Sequence, residues 1–433
     1  MKLIIIGGGP GGYETAIEAS KRGLETTLIT DGPLGGTCLN EGCIPTKTFC
    51  YFAETVSEGL LPPEAMAVLQ ERKNTVLSQL QGGIASMLKK VQVVQGRARF
   101  VDAHTVEVNG ERLSADKFII ATGSVGAVLP IPGAELCVGS REMLELTSVP
   151  RRLCVIGGGV IGLEFAGIFR SFGSEVSVLE FCPGILPRFD EDLAKRLKLS
   201  LKKRGIAIET SAQVKAVERG DNGLTVRYML KEQECSVEAD TVLMAVGRRA
   251  NFAELGLEAA GVECSKRGIV VDGRMRTDVP GIYAVGDVTG GIMLAHYASF
   301  QGKRALNDIC GVAEDGIRFD ICPAAVFTVP EVATVGLTEE ECKAKGIDYK
   351  AHKSMYGGNG KAVSMDAAEG FAKVLTEGPE GRILGAHIMG AHASDLIHEA
   401  AVLMNMDATL TQARSVIHAH PSLSEVLQAA YNA

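Results

Sequence analysis

Cys38 and Cys43 stand five residues apart in the run Gly35-Gly36-Thr37-Cys38-Leu39-Asn40-Glu41-Gly42-Cys43-Ile44-Pro45-Thr46-Lys47. Two thiols within reach of each other offer two-electron chemistry, because they can close to a disulfide and be opened again by a thiolate. In an ideal helix, Cα atoms at this spacing lie about 8.6 Å apart. A disulfide needs roughly 4.4–6.8 Å. The pair can therefore bridge only across a distorted helix start, with Cys38 at or before the first turn, a distortion that Gly42 eases. A helix N-terminus favours the thiolate, and Lys47, one turn beyond Cys43, adds a positive charge on the same face. Spacing alone leaves a second reading open, that of two buried structural cysteines.

A second reactive cluster closes the chain: His418-Ala419-His420-Pro421-Ser422-Leu423-Ser424-Glu425. Pro421 suits the first position of a final short helix, and Glu425, one turn in, could reach a histidine at the helix start.

Glycine-rich turns are the elements that must position such groups. Leu3 to Ile6 is a continuous apolar run, the pattern of a strand buried on both faces of a parallel sheet. Gly7, Gly9 and Gly12 follow in G-x-G-x-x-G spacing, then a helix from Tyr13 to Arg22 and a strand from Glu25 to Thr30. Between a strand and a helix this spacing reads as a dinucleotide-binding unit, with phosphates at the helix N-terminus. The unit recurs as Cys154 to Ile156, then Gly157, Gly159, Val160, Ile161 and Gly162, with Glu164 in the following helix. Glu180 ends the next strand, where an acid should hold a ribose. Its charge would repel a 2′-phosphate, and no arginine cluster follows it, which favours NAD. In the first unit Thr30 occupies that position. Asp31, one residue later, is either the substitute acid or a solvated loop residue.

Composition bounds the rest. The 433 residues should fold as two to four domains, and 46% hydrophobic with 22% charged residues is ordinary for a globular protein. A net charge of −8 without a basic stripe excludes a nucleic-acid partner. No signal peptide is visible and no apolar run is long enough to span a membrane, so a cytoplasmic location is expected. There a functional disulfide is usually catalytic. The other nine of the 11 cysteines follow no pairing pattern and read as small reduced hydrophobes.

Organisation follows from the motifs. Tyr51 to Lys90 reads as mostly helical with a break at Pro62-Pro63, and 91–118 and 206–247 as short strands. Thr122-Gly123-Ser124 and Ala245 to Arg248 end strands in small-residue turns. Asp287 follows a strand and a glycine, and Met293, Leu294, Ala295 and His296 lead into a helix running to about Ile309. Beyond 320, strands at Ala324 to Val329, Phe371 to Thr376 and Ile383 to Ile388 precede helices at Ser394 to Met404 and Thr411 to Ser415.

The cysteine run, both glycine motifs, Thr122-Gly123, Val285-Gly286-Asp287, Pro330-Glu331-Val332 and the terminal His-Glu cluster together resemble the flavin-dependent pyridine nucleotide–disulfide oxidoreductases, over essentially the whole chain, and most closely those that oxidise dihydrolipoamide. The resemblance implies an α/β fold: two Rossmann-like dinucleotide-binding domains, for FAD and NAD, and a C-terminal α+β dimer-interface domain. Its domains would be 1–140 and 269–316 for FAD, 141–268 for NAD and 317–433 for dimerisation. Gly7, Gly9, Gly12, Asp31, Lys47, Thr122, Gly123, Ser124, Asp287 and Met293 to His296 would line FAD. Gly157, Gly159, Val160, Ile161, Gly162, Glu164, Glu180, Val214 and Gly247 would line NAD, with no metal. By the same resemblance Cys38 is the interchange thiol and Cys43 faces the flavin. Lys47 and Glu164 form an ion pair near it. His420, oriented by Glu425, is the base, with His418 structural. The base would come from the second subunit of a homodimer, and the partner would be a lipoyl carrier protein of a 2-oxoacid dehydrogenase complex or the glycine cleavage system. A glutathione-reductase-like enzyme and a structural docking subunit are the rival readings. Thr30 and Tyr297 depart from the family pattern, and the Tyr51–Lys90 region is shorter than usual.

Overall fold

The computed structural model describes residues 1–55, 65–378 and 381–433; Pro62-Pro63 lies outside them. Two parallel sheets and one antiparallel sheet carry the chain. The first has the strand order Ile282–Ala284, Lys117–Ile120, Lys2–Ile6, Glu25–Thr30, Gln92–Gln95. Leu3 and Ile5 are fully buried and Ile4 and Ile6 nearly so, which is why this strand shows no polar alternation. The second sheet runs Ile206–Thr210, Glu175–Glu180, Arg152–Ile156, Thr241–Met244. Each sheet reverses strand order beside its first strand, and the crevice at the carboxyl ends there is the ligand position of such folds.

The stretches read as runs of short strands divide their work. Gln92–Gln95, Ile206–Thr210 and Thr241–Met244 join the parallel sheets. The rest form two antiparallel three-stranded meanders, Arg99–Asp102 to Glu111–Ser114 and Ala212–Gly220 to Gln233–Ala239.

The C-terminal region is a five-stranded antiparallel sheet in the order Ala324–Val326, Val332–Gly336, Ile383–Met389, Phe371–Glu377, Tyr349–Met355. Helices Ala393–Asn405 and Glu425–Tyr431 cover it. The strand expected to reach Val329 stops at Val326, because the next amide, Phe327 N–H, donates to Glu164 Oε1 at 3.0 Å instead of to the sheet. Pro421 does not open the last helix. That helix begins at Glu425, whose side chain accepts the Ser422 N–H at 2.8 Å.

Cys50, Cys154 and Cys342 are buried, and burial pushes the thiols of Cys50 and Cys154 up to about 12. Cys264 and Cys310 are exposed, so these two are not packed hydrophobes. Among the described residues no helix is long and apolar enough to cross a membrane.

Candidate active site

Cys38 and Cys43 are joined by a disulfide with their Cα atoms 4.7 Å apart. The distortion that this requires is a full break. A short helix, Gly36–Glu41, carries Cys38, and Gly42 interrupts it with a backbone conformation (φ −144°, ψ −107°) that is neither helical nor extended. A second helix, Cys43–Thr55, starts at the other cysteine. Cys43 thus sits at a helix N-terminus, where unpaired N–H groups favour a thiolate.

Lys47 lies one turn further along. Its Nζ is 2.8 Å from both carboxylate oxygens of Glu164, which comes from the helix Val160–Ser171 of the second sheet. Glu164 is 3% exposed; a buried carboxylate needs such a partner, because desolvation alone is costly. The same carboxylate accepts from Phe327 N–H, and Nζ lies 4.3 Å from the Phe327 ring centroid. Two helices and the segment just past the strand Ala324–Val326 therefore meet at this ion pair.

Disulfide, ion pair and first glycine turn open into one cleft of 2770 Å³. Gly7, Gly9, Asp31, Thr122, Gly123, Ser124, Asp287, Met293, Leu294, Ala295 and His296 line it, as do Val160, Ile161 and Glu164. The glycines divide their roles. A Cβ on Gly7 (φ +120°) would run into the Ala121 carbonyl, and one on Gly12 into the Gly7 carbonyl, whereas Gly9 faces open space. Gly12 is thus a packing residue behind the cleft. Gly157, Gly162 and Gly159 repeat this arrangement against Ala245, Gly157 and open space. That space, each time at a helix N-terminus, fits a pyrophosphate.

The two strand-end positions expected to face a ribose differ. The Glu180 carboxylate accepts from Gly158 N–H and Cys182 N–H, both at 2.6 Å. Thr30 fills the same place with a hydroxyl, which exchanges hydrogen bonds with the backbone of Gly32. Asp31 is exposed at the cleft wall and pairs there with Arg97 Nε at 3.4 Å. Val214 is 8% exposed and packs in the core with Leu179. Gly247 caps the second sheet, its carbonyl accepting from Ala127 N–H.

Two groups here escaped sequence reading. Arg248 donates to Ser124 Oγ and Ser124 O, each at 2.7 Å, and the Ser124 hydroxyl donates to Asp287 at 2.5 Å. Burial draws the Arg248 guanidinium below its ordinary range, opposed by Asp287 and Glu41. Gln301, buried, accepts the Gly286 N–H at 2.7 Å and so fixes the turn that carries Asp287. The only signal was position: Arg248 follows Gly247, and Gln301 lies two turns into the helix Ala295–Ile309. His296 bonds the Pro323 carbonyl at 2.8 Å, and Tyr297 packs on Phe319 with ring centroids 5.0 Å apart.

His420 Nδ1 is 2.9 Å from Glu425 Oε1. The Ser422 N–H, and then His420, hold the Glu425 carboxyl below its ordinary range. His418 is engaged separately, with Glu399 at 3.0 Å, and its side chain is 3% exposed, whereas that of His420 is 80% exposed. Neither His420 nor Glu425 lines the cleft of its own chain.

Residues 1–302 match the family model of pyridine nucleotide-disulphide oxidoreductases. The chain belongs to that family. Residues 322–431 match the family's dimerisation domain. The chain is 41% identical to dihydrolipoyl dehydrogenase of Bacillus subtilis (strain 168), over 98% of this chain and 94% of that relative. It is 39% identical to the enzyme of the same name from Geobacillus stearothermophilus, over the same shares. Among solved structures it is similar to the HOCl-induced flavoprotein disulfide reductase RclA of Escherichia coli, at 30% identity and TM-score 0.90 over 100% of this chain and 99% of that one. Mycobacterium tuberculosis LpdA is similar at 28% identity and TM-score 0.90, with the same coverage. The family works with FAD and a pyridine nucleotide, and the residues present fit both: two glycine turns with open phosphate positions, Asp287 in the cleft, and Glu180 at the second ribose position.

Proposed function

We propose that the protein is a dihydrolipoyl dehydrogenase that oxidises the dihydrolipoyl group of a separate carrier protein and reduces NAD+ to NADH. The observation that carries this reading is the bonded Cys38–Cys43 pair beside the Lys47–Glu164 ion pair, in a chain 41% identical to a named dihydrolipoyl dehydrogenase. Only a thiolate attacks a disulfide. His420, held by Glu425, takes the proton of the incoming thiol. The resulting thiolate attacks Cys38 Sγ, and the S–S bond breaks to leave Cys43 as thiolate at its helix N-terminus. The second substrate thiol then attacks the substrate sulfur bonded to Cys38; its proton passes to the departing Cys38 sulfur, which leaves as a thiol, while His420 keeps the first proton. The substrate is then a disulfide, and two electrons rest on the cysteine pair. Bound FAD supplies the two-electron link from that pair to the nicotinamide. Lys47 holds its charge beside the site, and Glu164 keeps Lys47 in place. Glu180 favours NAD over a 2′-phosphorylated nucleotide.

The enzyme works as a homodimer in which His420 and Glu425 of one protomer serve the disulfide of the other. Exposure of His420, its absence from the cleft lining of its own chain, and the 95% exposure of Ile417 three residues before it support this. The carrier belongs to a 2-oxoacid dehydrogenase complex or the glycine cleavage system, and the protein works in the cytoplasm.

A substrate panel tests the assignment: dihydrolipoamide with NAD+ against oxidised glutathione with NADPH. The first pair should turn over and the second should not; the reverse result overturns the reading. Cys43→Ser should abolish dihydrolipoamide turnover while FAD stays bound, and full activity in that variant refutes the cysteine role. His420→Gln should leave the flavin reducible by NADH yet slow dithiol exchange by roughly 100-fold or more. A colourless purified protein would favour a docking role instead.

A further inference from the structure

We propose that Phe181 is the platform on which the adenine of NAD stacks. The proposal rests on the assignment of the second glycine module to NAD and adds a residue to it. Phe181 is 69% exposed. Among the described residues no ring or cation packs on it, whereas Phe300, the other well-exposed phenylalanine, lies near the Lys303 ammonium.

The loop is rigid on both sides of the ring. Glu180 is tied to Gly158 N–H and Cys182 N–H. The Cys182 carbonyl accepts from Ser211 N–H at 2.9 Å, which fixes the loop against the start of the strand Ala212–Gly220. The ribose held by Glu180 carries the adenine one bond away, so the base must fall beside the adjoining residue. The floor of that region is apolar, since Val214 and Leu179 share one core cluster there. In the first module the matching residue is Asp31, which pairs with Arg97 and offers no stacking face. An aromatic platform suits a base because every base has a flat face.

The experiment compares holoenzyme carrying wild-type Phe181, Phe181→Ala or Phe181→Trp, with NADH and with reduced nicotinamide mononucleotide, which lacks the adenosine half. Phe181→Ala should raise the Kd for NADH, and the KM for NAD+, by roughly ten-fold. The kcat and the KM for dihydrolipoamide should stay unchanged, and Phe181→Trp should restore NADH binding. Affinity for the mononucleotide should be the same in all three. The proposal is overturned if Phe181→Ala binds NADH as tightly as wild type, or loses the same factor with the mononucleotide. Wild-type protein that prefers NADPH to NADH would overturn the nucleotide assignment and the stacking role together.

Discussion

The two glycine modules share a scaffold to the level of single hydrogen bonds. In the first, Lys2 N–H donates to Asp116 and Asp116 N–H returns to the Lys2 carbonyl; in the second, Arg152 and Asp240 do the same. Gly7 N–H reaches Ile29 O, and Gly157 N–H reaches Leu179 O. They diverge after the second strand. There the second module makes a loop and one crossover helix, Glu191–Lys203, whereas the first inserts both cysteine-bearing helices before its fourth helix, Ala65–Met87. The divergence begins at the end of the second strand itself, Thr30 against Glu180. A common scaffold thus tolerates exchange of the residue that ends its second strand, because strand pairing and glycine packing hold it together without that side chain.

The largest test of this comparison is Glu180→Thr, which gives the second module the residue of the first. It removes an ionised acceptor of two backbone N–H bonds, a loss of about 1.5–3 kcal/mol. NADH should bind roughly 10- to 100-fold more weakly, with less preference over NADPH, as read by titration of NADH fluorescence. Unchanged binding would break the assignment of roles.

The first module also carries an acid at its edge. Asp308 accepts from Arg274, Arg276 and Tyr283, and Arg276 first among them lowers its carboxyl to about 2. Because the folded pKa is depressed, its stabilisation is full above the ordinary carboxylate value of about 4 and is lost as pH falls towards about 2. Asp308→Asn should cost about 2 kcal/mol in urea unfolding at neutral pH. The wild-type and variant curves should converge with acidification, and a constant gap down to pH 2 would contradict the cause given.

Thr30→Glu is the converse exchange and should have a smaller effect, since a charge is buried as a bond is gained. FAD release, followed by flavin fluorescence in rising chaotrope, should slow by several-fold, about 1 kcal/mol. Faster release would mean that the hydroxyl, not a carboxylate, is what this turn requires. Asp31→Ala should change least. An exposed pair of this kind is worth about 0–1 kcal/mol, so FAD affinity should shift by less than about five-fold. A larger loss would restore Asp31 as the ribose ligand.

Much of this was legible in residue order, and the reasons are local. The apolar run Leu3 to Ile6 and the glycine spacing mark a buried strand entering a phosphate turn, since both depend on backbone sterics. The Cys38–Cys43 bond was legible as a possibility, but the Gly42 break that permits it is a tertiary outcome. Strands Val332–Gly336 and Tyr349–Met355 were missed, being without clean alternation. Arg248 was missed because its partner Ser124 lies far away in sequence. The end of the strand at Val326 was misjudged because its deciding partner, Glu164, belongs to another sheet.

That carboxylate has a consequence for assembly. Glu164 is satisfied only when Lys47, from the helix Cys43–Thr55, and the Phe327 amide, just past the strand Ala324–Val326, both reach it. A misdocked chain would strand a buried charge at a cost of several kcal/mol. The junction thereby acts as a proofreading contact, penalising wrong domain arrangements before the neighbouring thiols can do any chemistry.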